Sequence, residues 1–254
     1  MIVSVVMPAY NAEATIWSAM TSVQLQTHED WELIVVDDGS ADRTAELAQR
    51  AAANDKRIRV IRQRNLGVAA ARNAAIEAAT GRYLAFLDAD DAWLPEKLQR
   101  QLSFMSLRGS AFSATGYRRQ WRHKLGPVFH VPEVITYETS LKSRPFISIT
   151  VVVDSKQVRV RMPNIGRGSL IPEDLVAWLG ILRTGVVAHG LDEDLARYRV
   201  VKGSRSCNKV KCACQVWRVY RDFERLDLAS SSWYFAHYAL HSVASRVPWL
   251  WAWR

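Results

Sequence analysis

The chain has 254 residues, 49% of them hydrophobic and 23% charged, a balance that supports one compact domain with a sizeable core and excludes a disordered chain. The formal net charge of +9 is uneven: residues 1–100 hold 11 Lys/Arg against 14 Asp/Glu, whereas residues 101–254 hold 23 against 11. A basic second half points to an anionic partner, whether phosphates, nucleic acid or an acidic membrane surface.

Ile2–Met7 is an apolar run closed by Pro8 and reads as a strand buried on both faces. Helical periodicity follows from about Ala12 to Gln26, then a second buried strand over Glu32–Val36. The turn cluster Asp37-Asp38-Gly39-Ser40 comes next, and Ser40 or Asp42 is expected to cap an Ala-rich helix running to about Asn54. Ile58–Ile61 reads as a third strand, and Val68–Thr80 as a helix ended by Gly81 in a left-handed conformation. Tyr83–Leu87 is a fourth strand leading into Asp88-Ala89-Asp90-Asp91, after which Pro95 opens a helix to about Leu107.

This alternation implies a parallel, doubly wound sheet. Beyond Gly109 the rhythm changes. Short strands are expected at Ala111–Thr115, Phe146–Val153, Val186–His189 and Leu195–Val200, with a helix from Glu173 to about Arg183 and helical structure from Asn208 to near Val247. The chain reads as a main domain over 1–205, split into halves at 1–108 and 109–205, with a helical extension over 206–254.

Cys207, Cys212 and Cys214 lie too close together for a disulfide framework and lack zinc-ligand spacing, so they read as reduced thiols. The start of the chain lacks a signal peptide's basic and apolar regions, and no run of about 18 apolar residues exists. A cytoplasmic location is expected.

In an open parallel sheet, ligands bind outside the carboxyl ends of the strands. Pro8-Ala9-Tyr10-Asn11, Asp37-Asp38 and Asp88-Ala89-Asp90-Asp91 all fall at such ends. Asp88 and Asp90, two apart on an extended segment, point to one side. Their mutual repulsion suits a hard divalent cation, Mn²⁺ or Mg²⁺, completed by phosphate oxygens and water. The bland reading, that Asp88–Asp91 caps the helix after Pro95, is overtaken by what accompanies it.

Ser4-Val5-Val6-Met7-Pro8-Ala9-Tyr10-Asn11, Leu33-Ile34-Val35-Val36-Asp37-Asp38-Gly39-Ser40, Asn65-Leu66-Gly67 with Ala71-Arg72-Asn73, and Gly81–Asp91 follow one another in an order and spacing that resemble the nucleotide-sugar half of family 2 inverting glycosyltransferases. The resemblance covers residues 1–108 and implies a GT-A fold, a Rossmann-like, mainly parallel sheet flanked by helices. It also implies a UDP-sugar donor. Asp38 matches the residue accepting the uracil N3–H, and Tyr10, beside Pro8 in the donor-binding segment, matches the aromatic packing on the base. Arg72 matches a position facing the nucleotide, Asp88 one near ribose or metal, and Asp90 the residue holding the metal on the diphosphate.

Displacement at an anomeric carbon also needs a base for the attacking hydroxyl. Pro172-Glu173-Asp174-Leu175 resembles the family's Glu-Asp pair opening a helix, which implies Asp174 as catalytic base and Glu173 beside the acceptor. Trp178 lies four residues on, on the same helix face, so an acceptor sugar is expected to stack on its indole. Leu195–Ser206 is similar to the family segment that closes over the donor phosphates. Val201 stands where many members carry a His, which leaves the third metal ligand open and Arg199, Lys202 or Arg205 as phosphate contacts.

Arg118–Lys124 is basic but belongs to no nucleic-acid-binding module, so it reads as a solvated hairpin or a patch for a lipid diphosphate, and no nucleic-acid partner is expected. The expected acceptor is a lipid-diphosphate-linked glycan for a bacterial surface polysaccharide. A non-catalytic nucleotide-sugar or glycan-binding protein is the rival reading. The C-terminal helix, with Trp233, Ala236, Leu240, Val243, Ala244 and Val247 on one side and Trp249, Trp251 and Trp253 beyond, is expected to seat the protein on the inner membrane face.

Overall fold

The computed structural model describes residues 2–122, 124–166, 171–200 and 209–244. Its first half is built as the alternation implies: β1 (Val3–Ala9), α1 (Ile16–Gln24), β2 (Trp31–Asp37), α2 (Thr44–Asn54), β3 (Ile58–Arg62), α3 (Val68–Ala78) and β4 (Tyr83–Phe86). β3, β2, β1 and β4 lie side by side in that order, all parallel. β5 (Ala92–Trp93) and α4 (Lys97–Arg108) follow.

Past β4 the sheet becomes mixed. β6 (Phe112–Trp121) and β7 (Lys124–Phe129) form an antiparallel hairpin from the basic stretch, followed by β8 (Val134–Ile135) and α5 (Tyr137–Ser143). In that stretch Arg118 pairs with Asp194 at 2.9 Å and Arg119 lies 4.8 Å from the Phe129 ring centroid. β9 (Val152–Asp154) runs antiparallel to both β4 and β6 and so joins the two halves of the sheet. α6 (Glu173–Arg183), β10 (Ala188–Arg199), α7 (Lys209–Arg218), a π-helical turn (Val219–Phe223) and α8 (Leu228–Ala244) complete the chain order.

Period-two alternation sends side chains to the two faces. Val3, Val5 and Met7 of β1 meet α1, α2 and α4, while Val6 of β1 and Ile34 of β2 meet α3 and α6. A third apolar cluster joins α5, α6, α7 and α8 through Leu141, Leu175, Leu179, Val216 and Tyr220. Tyr234, Phe235 and Tyr238 of α8 pack into it.

Several expectations are corrected. Gly81 is not left-handed. Ala79 is already extended, Arg59 donates to the Ala78 carbonyl at 3.0 Å, and Glu32 accepts from the Thr80 amide at 2.6 Å, so α3 ends without it. Gly81 is needed because a Cβ there would lie 2.7 Å from the Ile2 carbonyl oxygen. Phe146–Val153 is not one strand: Ser148–Thr150 forms a 3-10 turn before β9. The two strands expected at Val186–His189 and Leu195–Val200 are one strand, β10, whose register on β6 shifts between Leu191 and Ala196. The helix after Pro95 starts at Lys97, and the C-terminal helical run is interrupted between α7 and α8, where Arg225 is left-handed at φ 52°. Val247 and the three terminal tryptophans lie outside the described residues.

Lys97 opens α4 yet is wholly buried. Its ammonium sits 4.2 Å from the Trp93 ring centroid and donates to Gln101 Oε1 at 2.8 Å, with no carboxylate paired to it among the described residues. Burial pushes its pKa down from 10.5 to about 7. The unfolded chain therefore holds the extra proton between these values, and stability rises as pH climbs through that window. Lys97→Met fills similar space without the charge. It is expected to flatten that rise and to raise Tm at neutral pH, by about 2–4 °C for each kcal/mol regained. Calorimetric Tm values for both proteins between about pH 6 and 9 test this, and an unchanged slope in the variant would assign the dependence elsewhere.

Candidate active site

The carboxyl ends of β1, β2 and β4 open on one edge of the sheet, and their loops are stapled together. The Asn11 amide donates to Ser40 Oγ (2.9 Å), the Ala41 amide to Asn11 Oδ1 (2.9 Å), and the Ala12 amide to Thr44 Oγ1 (2.7 Å). Asn11 adopts φ 47°, a left-handed conformation that asparagine tolerates better than most residues. Pro8 costs no ladder bond. The Leu87 amide donates to the Val6 carbonyl, so the backbone groups of residues 4, 6 and 8 face β4, which has ended by position 8. Tyr10 is 52% exposed at this rim and is not a core residue.

Asp37 and Asp38 are both buried, and both hold loops. Asp37 accepts from the Ser40 amide (3.2 Å) and Arg62 Nε (3.1 Å). Asp38 Oδ1 accepts from Gln63 Nε2 (2.7 Å) and the Leu66 amide (2.8 Å), and Oδ2 from the Gly67 amide (2.8 Å). Asp38 thus fixes the β3–α3 loop and keeps one Oδ2 lone pair for a further donor.

Arg72, expected to face the nucleotide, is 4% exposed, because the Ala-rich face of α3 seats it against the sheet. Its Nη2 donates to Asp88 Oδ1 at 2.6 Å and its Nη1 to Glu173 Oε1 at 2.7 Å, bridging the ends of β4 and α6. Burial works against its charge, but Asp88, Glu173 and Asp174 outweigh that and raise its pKa. Burial pushes the Glu173 carboxyl up, with Arg72 opposing.

Asp90 lies at the surface beside Asp88, and the surrounding protein together with the Asp88 charge pushes its pKa up to about 6. Asp91 points the other way. It is fully buried, accepts from the Arg199 amide at 2.7 Å, and so ties the loop after β4 to the end of β10; burial and its two acidic neighbours raise its pKa. Asp174 is half-buried in the first turn of α6, where Oδ2 accepts from Ser148 Oγ (2.8 Å) and Oδ1 from the Leu175 amide (2.7 Å).

Trp178 is not a platform for a sugar. It is 3% exposed, its ring lies 5.1 Å from Phe86 and 5.6 Å from Phe112, and its Nε1 donates to Ser148 Oγ at 3.2 Å. It shares a helix face with Asp174 as expected, but that face is core beyond the first turn.

Asp88 and Asp90 form a pair of oxygen donors whose repulsion Arg72 offsets only in part, the chemistry a divalent cation fits. No group of three ligating side chains stands ready among the described residues. Val201, Lys202 and Arg205 lie outside them. Arg199 is described: its Nη2 donates to Ser18 Oγ at 2.9 Å.

Residues 4–158 match the family model described as Glycosyl transferase family 2. The chain is a family 2 glycosyltransferase. It is 43% identical over 250 residues to the putative teichuronic acid biosynthesis glycosyltransferase TuaG of Bacillus subtilis, covering 97% of this chain and 98% of that one. It is 35% identical to an Escherichia coli protein, the UDP-Glc:alpha-D-GlcNAc-diphosphoundecaprenol beta-1,3-glucosyltransferase WfgD, over 90% of this chain and 88% of that one. Among solved structures, S. aureus TarS 1-349 in complex with UDP-GlcNAc shares the fold with a TM-score of 0.72 at 21% identity, over 94% of this chain and 72% of that one. The glycosyltransferase thus has the GT-A architecture, a central sheet flanked by helices.

The clasp made by Arg72 is the feature that sequence reading missed. Its one signal was a lone basic residue inside an alanine-rich helix whose N-terminus faces the site. Arg72→Met would leave Asp88 and Glu173 facing each other uncompensated and is expected to cost about 3–5 kcal/mol. Adding Glu173→Gln to it should restore part of that loss. Urea unfolding of the single and double variants measures both, and a single variant as stable as the parent would show that the bridge carries no structural load.

Proposed function

We propose that this family 2 glycosyltransferase moves a sugar, with inversion, from a UDP-sugar to a hydroxyl of a glycan carried on a lipid diphosphate, in the synthesis of a bacterial surface polysaccharide. The observation carrying this reading is that Asp174, in the first turn of α6, is the one of the two adjacent carboxylates with no cation bonded to it among the described residues, while Glu173 is taken up by Arg72, which also holds Asp88. The name of the Escherichia coli relative supports the donor class and the acceptor class, and that of the Bacillus subtilis relative supports polysaccharide synthesis.

In this reading Asp174 takes the proton from the acceptor hydroxyl as its oxygen attacks the anomeric carbon on the face opposite the leaving diphosphate, which inverts the configuration. Tyr10, exposed at the rim, packs on the uracil, and the remaining Oδ2 lone pair of Asp38 accepts its N3–H. Pro8 and Ala9 hold that rim rigid. Asp88 and Asp90 are the residues that would hold Mn²⁺ or Mg²⁺, which when bound offsets charge on the departing diphosphate. Arg199, whose Nη2 donates to Ser18 Oγ, is the described candidate for meeting phosphate oxygens, and Lys202 and Arg205 are the further candidates from the sequence. Glu173 orients Arg72 and does not meet the acceptor directly.

The extension over 206–254 has a membrane role in this reading. Among the described residues no helix is long and apolar enough to cross a bilayer. α8 is two-faced: Tyr234, Phe235 and Tyr238 point inward, whereas Trp233 and Leu240 are 60% and 67% exposed. A lipid surface is the occupant that suits an outward Trp and Leu next to a basic half, on a protein whose acceptor is lipid-borne.

The chemistry is tested with a panel of UDP-sugars and a synthetic lipid-diphosphate sugar, reading product by mass. Asp174→Asn is expected to bind UDP normally and lose about 100-fold or more in turnover, whereas Asp90→Ala should lose metal-dependent UDP binding in calorimetry. Near-normal turnover by Asp174→Asn would move the base elsewhere.

The membrane role needs a surface change, since deleting α8 would also remove three core aromatics. Trp233→Ser with Leu240→Ser should keep UDP binding and Tm but lower partitioning onto anionic vesicles, and added salt should weaken attachment of the unaltered protein. If the unaltered protein ignores vesicles, the exposed face has another purpose.

A further inference from the structure

Arg144 follows α5 directly, in the sequence Ser143-Arg144-Pro145, and has φ 48° and ψ 65°. A left-handed conformation is unfavourable for a residue with a Cβ, and the residue before a proline is pushed toward extended structure as well. Arginine is therefore a poor choice for the backbone at this point, where glycine or asparagine would serve. Such an outlier directs attention to the side chain.

That side chain is half-buried, yet its guanidinium makes no hydrogen bond or ion pair with any described residue, although those of Arg72, Arg82 and Arg183 all do. An arginine following a helix commonly bonds the last carbonyls, but here other groups meet them. Ser143 Oγ donates to the Thr139 carbonyl, and Tyr220 Oη donates to that of Leu141. Arg144 instead lines a narrow recess with Pro145, Phe146, Asp174 and Trp178. An arginine whose charge acts on the Tyr117 and Tyr220 hydroxyls, but which has no ion pair among the described residues, thus lines the same recess as the proposed base. α5 itself packs along α8, the helix whose outer face exposes Trp233 and Leu240.

We propose that Arg144 is an acceptor-specificity residue whose guanidinium binds the phosphate next to the acceptor sugar. This rests on the reading of the acceptor as a lipid-diphosphate glycan. A forked guanidinium matches phosphate geometry, and its position orders the acceptor: lipid toward α8, phosphate at Arg144, sugar hydroxyl at Asp174. The site thereby selects glycans on a diphosphate over the same glycan on a neutral carrier.

The test compares two acceptors bearing the same sugar, one on a short prenyl diphosphate and one on a neutral alkyl chain, in the full-length protein. Three variants are used: Arg144→Gln, Arg144→Lys and Arg144→Gly. Glycine suits the left-handed backbone, so it keeps the test valid if the glutamine variant fails to fold. The expected result is that the unaltered protein prefers the diphosphate acceptor, that Arg144→Gln and Arg144→Gly raise its KM roughly tenfold or more, and that Arg144→Lys retains part of the preference. Calorimetric titration of the diphosphate acceptor in saturating UDP should show the same loss without relying on turnover. Folded variants that keep the full preference overturn the role of Arg144 alone. No preference in the unaltered protein overturns the diphosphate-acceptor reading itself, and this inference with it.

Discussion

A guanidinium buried between two carboxylates from distant parts of the chain is the interaction on which the site depends. Asp88 ends the run that follows β4 and Glu173 opens α6, so without Arg72 the last strand of the parallel half and the first helix of the acceptor half would meet as two negative charges. Burying one cation against both is costly in isolation, yet removing only one member is costlier, since a charge is then stranded. The three groups therefore stand or fall together. Their union brings Asp174 to the edge of the sheet where Asp88 and Asp90 already lie.

The remaining geometry distributes the acidic residues by function. Five aspartates cluster at the carboxyl edge of the parallel half, and they do not share one fate. Asp37, Asp38 and Asp91 are buried and accept from backbone amides, with Arg62 and Gln63 added at the first two, holding the loops that shape the rim. Asp88, half-buried against Arg72, and Asp90, exposed, are the two left facing the surface. The split at Asp88–Asp91 is made by a turn and not by strand alternation as the sequence suggested: β4 has ended at Phe86, and the Asp91 amide donates to the Asp88 carbonyl at 3.0 Å. A rim built on buried carboxylates is rigid, which suits placing a diphosphate and a hydroxyl within reach of one another.

Strands β1, β2 and β4 were legible in the sequence because parallel strands buried on both faces leave apolar runs that end in turn residues, whereas the edge strand β3 is a short run broken by Arg59. The donor-side candidates followed from that, since strand ends of an open parallel sheet are where ligands gather. Past Gly109 the same reasoning weakened for a physical reason. β6, β9 and β10 pair with strands far away in sequence, and β10 carries Asp192, Glu193 and Asp194 in its middle, so no local pattern marks it as one strand. Arg72 and Trp178 illustrate the same limit. Their positions on the right helix faces were readable, but what those faces meet depends on the contact of α3 and α6 with the sheet, and that contact buries both.

Ser148 shows how the core and the proposed chemistry are joined. An indole N–H can only donate, so the bond from Trp178 Nε1 makes Ser148 Oγ an acceptor there, and the hydroxyl's single proton is left to point at Asp174 Oδ2. The 3-10 turn carrying Ser148 is pinned in its turn by the buried layer beneath: Trp93 Nε1 donates to the Ile149 carbonyl and Gln101 Nε2 to that of Thr150. Asp174 is therefore oriented by a chain of bonds running back to α4 and not by the flexibility of a loop. Each of its oxygens accepts one described bond and retains a lone pair, so the carboxylate is held in place while keeping room for the proton that the proposed transfer requires.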